Sequence, residues 1–104
     1  MKPILFILHM PFEDNNVEGS NNTTWFCSHC ALIEGALAAN PGWKDYIDIR
    51  RIPFPRPRAE LVDILGEDNQ WVPVLIFDQG KTLTDPIEIT TYLAGTYGGA
   101  APHP

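Results

Sequence analysis

The 104-residue chain is long enough for one modest hydrophobic core and too short for two. With 44% hydrophobic and 19% charged residues, and no repeat or low-complexity run, it has the composition of an ordinary globular domain. A formal net charge of −6 argues against nucleic acid as a partner, and no apolar run approaches the ~20 residues that cross a bilayer.

The chain opens with "MKPILFILHMP", in which Lys2 precedes an apolar run. His9 and Pro11 interrupt that run and no small-residue cleavage site follows, so residues 3–9 predict a strand buried on both faces rather than a signal peptide. The expected setting is the cytoplasm, where a structural disulfide is uncommon. Residues 11–25, rich in Asn, Gly, Asp and Thr, form a long loop of the kind that tends to carry function.

Residues 28–39 are strong helix formers, with Ile33 and Leu37 on one face and Ala31, Gly35 and Ala38 expected to admit close packing. "NPG" stops this helix at Asn40. Tyr46, Ile47, Ile49 and Ile52 mark a second strand within residues 45–52. "PFPRPR" is extended loop, because each proline disfavours helix in the residue before it. Leu61, Val62, Ile64 and Leu65 follow at helical spacing, with Gly66 as the stop. "WVPVLIF", "DQG" and "KTLTD" predict a strand, a tight turn and an antiparallel strand. Pro86 suits a first helical position, and Ile87, Ile89, Tyr92 and Leu93 give the last helix its apolar side. A single domain over residues 1–98 and a frayed tail over 99–104 complete the expected organisation.

The resulting order, βαβαββα, calls for parallel first and second strands joined by a right-handed crossover. Three segments sharpen the reading: "CSHC" at a helix start after the first strand, Val72-Pro73 opening the third strand, and "LTDPIEITTYL" near the end. Together they resemble the thioredoxin-like, glutaredoxin-like superfamily. The chain also looks like an uncharacterised bacterial family of thioredoxin-like domains of unknown function, and it is partly similar to glutathione-transferase N-terminal domains. The resemblance implies an α/β three-layer sandwich with a four-stranded mixed sheet and a cis proline at Pro73.

The strand directions bring Cys27, the Arg50–Arg58 segment, Val72-Pro73 and Thr84-Asp85 to one edge of the sheet, where open α/β sheets place ligand sites. A sulfur at residue 27 meets the unpaired N–H groups of a helix N-terminus, worth ~0.3–1 kcal/mol to an anion and about 2 in partly buried geometry. His29 lies inside the motif and adds to this if protonated. The expected chemistry is attack by Cys27 on a disulfide, with Cys30 as the resolving thiol. The resemblance further implies that Pro73 presents the Val72 backbone edge to a peptide or glutathione, and that Thr84 and Asp85 stand where relatives hold a γ-glutamyl ammonium. Arg56 or Arg58 would meet a carboxylate of the same ligand or favour the thiolate.

Plainer readings compete with each of these. The cysteines can be small buried hydrophobes, or part of a zinc site short of four well-aimed ligands. Asp85 can be an N-cap, and the arginines a solvated loop. The leading expectation is a cytoplasmic glutaredoxin-like thiol–disulfide oxidoreductase with no resident metal or tightly bound cofactor, acting on a disulfide-containing protein or on glutathione as co-substrate. The alternative is a non-catalytic thioredoxin-fold binding module for a peptide, a protein or glutathione.

Overall fold

The computed structural model describes residues 2–19 and 22–104. Eight elements follow in order: β1 (Ile4–Leu8), α1 (Ser28–Ala39), a 3-10 turn (Pro41–Asp45), β2 (Asp48–Ile52), α2 (Ala59–Leu65), β3 (Val74–Phe77), β4 (Lys81–Leu83) and α3 (Pro86–Tyr97). The strands form one sheet in the order β2-β1-β3-β4. β1 runs parallel to β2 and antiparallel to β3, and β3 pairs antiparallel with β4. This is the mixed sheet of a thioredoxin-like α/β fold.

Leu5, Phe6, Ile7 and Leu8 are all buried, so both faces of β1 are covered, as its unbroken apolar run requires. Neighbouring residues of β2 point to opposite faces and show what covers each one. Arg51 makes a two-pronged pair with Glu34 of α1, at 2.7 and 2.8 Å. Arg50, one residue earlier, reaches Glu60 of α2 at 3.3 Å and Asp48 at 2.8 Å. α1 is in contact with α3, and the alternating Arg51–Glu34 and Arg50–Glu60 pairs put α1 on one face and α2 on the other. These two arginines thus serve the fold rather than the sheet-edge site.

The second strand is shorter than its sequence pattern. Residues 41–45 coil into the 3-10 turn, which buries Trp43 and Ile47 but leaves Tyr46 exposed against the ring of Tyr97. α2 is also modest: Leu61 alone is fully buried, while Ile64 is 42% exposed. The expected close packing at Gly35 is absent, since a Cβ there would meet nothing within 4 Å. At the hairpin, Asp78, Gln79 and Gly80 all take positive φ (42°, 62° and 97°), which lets Phe77 pair with Lys81.

Hydrogen bonds hold the start of the expected tail. Asn40, the C-cap of α1, donates to Ala100 O (3.1 Å) and accepts from Ala100 N–H (2.7 Å), while Trp43 Nε1 donates to Gly98 O (2.8 Å). Gly99, at φ +104°, passes so close to the Asn40 side chain that any Cβ would clash with it.

Candidate active site

The two cysteines divide their roles by position on α1. Cys27 is its N-cap, with extended backbone (φ −81°, ψ 118°), and its sulfur accepts the Cys30 N–H at 3.2 Å. A sulfur here takes the place that Ser, Thr, Asp or Asn oxygens usually fill, and it satisfies one orphan donor of the first turn. The Cys27 N–H in turn donates to Met10 Sδ at 3.1 Å, tying the helix start to the end of β1.

Cys30 sits one turn inside and is fully buried. Its sulfur accepts the Leu8 N–H at 3.4 Å. Burial, helped by the neighbouring Cys27 sulfur, pushes the Cys30 thiol up to about 12 against the partial relief that the Leu8 N–H supplies. Cys30 therefore stays protonated at neutral pH, and half-buried Cys27 is the sulfur that meets solvent.

Cys27 opens onto a groove of about 880 Å³. One wall is the start of α1 and the loop from Phe12 to Val17; the other is the loop after β2 together with Trp71 and Val72. The long loop is pinched at its neck by Phe12 and Trp25, which exchange backbone hydrogen bonds of 3.0 and 2.7 Å. Phe12 then stacks on Phe54 across the groove, centroids 4.4 Å apart and planes within 5°. Phe26 (69% exposed) and Trp71 (54%) stand out at the rim. These aromatics were not singled out from the sequence. Their signal was adjacency, since Phe26 precedes Cys27 and Trp71 precedes Val72.

Most of the residues singled out from the sequence meet here. Val72, His29, Arg56 and Arg58 all line the groove with Cys27. His29 is exposed, its ring 6.1 Å from that of Trp71. The Val72–Pro73 peptide bond is cis, and Pro73 is fully buried behind Val72. Arg56 is exposed, whereas Arg58 is 8% exposed. The Arg58 guanidinium donates to Phe54 O from Nε and Nη2 (3.0 and 2.8 Å) and to Gln70 O from Nη1 (2.6 Å).

Thr84 and Asp85 follow β4 at the same end of the sheet but lie outside the groove lining. Both are exposed, and the Asp85 carboxylate caps α3 by accepting the Glu88 N–H at 3.0 Å. Among the described residues no group of three His, Cys, Asp or Glu side chains is placed to hold a metal ion, and no helix is long and apolar enough to cross a membrane.

A family model described as protein of unknown function, DUF3088, matches residues 2–100. The chain belongs to that family. This DUF3088 domain is similar to two curated proteins of Mycobacterium tuberculosis, "Putative glutaredoxin Rv3198A" of strain ATCC 25618 / H37Rv and "Putative glutaredoxin MT3292" of strain CDC 1551 / Oshkosh. Each is 38% identical over 64 residues, which cover 62% of this chain and 73% of the relative. The DUF3088 domain is thus related to glutaredoxin-like proteins by sequence and to thioredoxin-like proteins by fold. No solved structure matches it significantly.

Proposed function

We propose that this DUF3088 domain is a glutaredoxin-like thiol–disulfide oxidoreductase in which Cys27 attacks and Cys30 resolves. The observation that carries the reading is the unequal burial of two sulfurs on one helical turn: Cys27 is half-exposed at a helix N-terminus and Cys30 is sealed against β1. In the first step the Cys27 thiolate bonds to one sulfur of a substrate disulfide, and the other sulfur leaves as a thiolate that takes a proton from water. Cys30 then gives up its proton and attacks the Cys27 sulfur. A Cys27–Cys30 disulfide forms and the second substrate thiol is released. The substrate gains two electrons, and a thiol donor such as glutathione restores the dithiol.

The substrate is a disulfide-containing protein or peptide, or a glutathione mixed disulfide. An extended peptide lying in the groove has the Val72 backbone edge to pair with and Arg56 as an exposed cation for a carboxylate. Thr84 and Asp85 lie outside the groove lining, so a glutathione would have to extend beyond the groove to meet them. The cytoplasm, which keeps such a pair reduced, is the compartment in which this chemistry runs.

Turnover of insulin and of a glutathione mixed disulfide under a dithiol donor tests the proposal. Cys27→Ser is expected to abolish both, and turnover retained in that variant would end the reading. A second reading, a non-catalytic module that holds a peptide, draws on the exposed rim of Phe26 and Trp71. It expects peptide affinity to survive in a Cys27→Ser/Cys30→Ser double variant of a protein that shows no turnover.

A further inference from the structure

We propose that the groove at Cys27 takes polypeptide disulfides whose cysteine is flanked by large apolar side chains, and that Phe26 and Trp71 select them over glutathione mixed disulfides. The assignment rests on Cys27 being the reactive sulfur and narrows the substrate class of that site. It starts from where the chain leaves apolar surface in water. Seven large hydrophobic side chains are exposed among the described residues, and three of them, Val17, Phe26 and Trp71, line this one groove. Phe26 and Trp71 are the two most exposed of the seven. The other four are dispersed: Leu32 on α1, Tyr46 after the 3-10 turn, Ile64 on α2 and Ile87 on α3. Single exposed hydrophobes are ordinary, whereas a cluster beside a reactive group marks a binding surface.

The cluster stands on both walls. Val17 and Phe26 belong to the wall made by the long loop and the start of α1, and Phe26 directly precedes Cys27. Trp71 belongs to the facing wall and directly precedes Val72. Its ring lies 6.1 Å from that of His29, two residues past Cys27. A substrate cysteine that reaches the Cys27 sulfur therefore brings its own neighbouring residues against these rings. Exposed aromatic rings offer much apolar area and lose little side-chain entropy on docking.

Glutathione gives these rings little to hold. Its cysteine is flanked by a γ-glutamyl group and a glycine, and two carboxylates against one ammonium leave it an anion at neutral pH. The groove meets that charge with Glu13 and Asp14 on the long-loop wall and with one exposed guanidinium, that of Arg56. The Arg58 guanidinium is buried and bound to Phe54 O and Gln70 O. Thr84 and Asp85 lie outside the lining, and the Asp85 carboxylate is engaged as the cap of α3. The chain as a whole carries a charge of −6. Charge and apolar surface together favour a neutral or cationic polypeptide with bulky neighbours beside its cysteine.

The test uses short peptides that differ only in having Phe or Gly on both sides of a single cysteine, with glutathione as the third probe. Each is joined by a disulfide to the same nitrothiobenzoate reporter. Cys27 bonds to the probe sulfur, the probe–reporter S–S bond breaks, and the reporter, the more acidic thiol, leaves as a coloured thiolate. Rates are divided by those for dithiothreitol, which cancels differences in intrinsic reactivity. The Phe-flanked peptide is expected to react faster than both other probes by about tenfold or more. That preference is expected to fall in Phe26→Ala and in Trp71→Ala, which alter solvent-facing rings and leave the core intact, and to be largely kept in Trp71→Phe. Equal rates for the two peptides, a faster rate for glutathione, or a preference unchanged in a Phe26→Ala/Trp71→Ala double variant would each overturn the assignment.

Binding without chemistry separates this assignment from the reaction it serves. Calorimetry with a Cys27→Ser/Cys30→Ser variant reads the affinity of the same two peptides carrying serine in place of cysteine. Tighter binding of the Phe-flanked peptide by about tenfold, with no turnover of any probe by wild type, would keep the docking assignment and remove the oxidoreductase reading. Turnover that depends on Cys27 but shows no preference between the peptides, in rate or in affinity, would do the reverse.

Discussion

The Cys30 N–H donates to the Cys27 sulfur at 3.2 Å, while the Cys30 sulfur itself is held at 3.4 Å by the Leu8 N–H. One helical turn therefore gives two chemically identical side chains opposite surroundings. The outer sulfur faces amide donors and a groove, and the inner one faces hydrocarbon.

That difference has a pH signature in the fold itself. Burial pushes the Cys30 thiol up to about 12, above its unfolded value near 8.5. Between those values the unfolded chain has lost a proton that the folded chain keeps, so stability falls as pH rises. The loss is at most ~1.4 kcal/mol per pH unit across that window and is absent below it. Urea denaturation from pH 7 to 11 should show this decline in wild type and a shallower one in Cys30→Ala. At pH 7.5 iodoacetamide should label Cys27 and leave Cys30 unmodified until the chain unfolds.

Asn40 should prove unusually sensitive for an end-of-helix residue. Its side chain makes three hydrogen bonds, to Ala36 O and to both backbone groups of Ala100, and it is 7% exposed. Asn40→Ala is expected to cost about 2–3 kcal/mol. Limited proteolysis should then clip the C-terminal residues, which wild type protects.

Gly35 offers the opposite case. It lies mid-helix in α1, is exposed, and has open space where a Cβ would go. Gly35→Ala should stabilise by ~0.5–1 kcal/mol, read as a Tm rise of a few degrees. An unchanged or lower Tm would mean that the exposed face of α1 is covered in solution.

Asp85 separates capping from ligand binding. As the N-cap of α3 it accepts the Glu88 N–H at 3.0 Å. Asp85→Ala should cost about 1 kcal/mol, and Asp85→Ser should restore most of it. A rise in KM for a glutathione mixed disulfide in both variants would show that the carboxylate also meets ligand.

Much of this architecture could be read from the residues because local and global signals agree. The buried run of β1, the α1 span from Ser28 to Ala39, and Pro86 at the start of α3 follow from periodicity, propensity and proline chemistry. Strand directions then brought Cys27, Arg56, Arg58 and Val72 to one edge. What stayed hidden depended on contacts between segments distant in sequence. Nothing in "PRPR" distinguishes exposed Arg56 from buried Arg58, whose environment is made by carbonyls of Phe54 and of Gln70, 12 residues later. Nothing in the Asn-rich loop announces the Phe12–Trp25 bridge or the Phe12–Phe54 stack that build the groove. The hold of Asn40 on Ala100 spans 60 residues, beyond the reach of any local pattern.

Attack by the outer sulfur is tested most directly by trapping it. Cys30→Ser should accumulate a mixed disulfide with a peptide or glutathione disulfide, because nothing remains to resolve it, and peptide mapping should find the adduct on Cys27. No adduct, with the protein folded and substrate in excess, would contradict nucleophilic attack by Cys27.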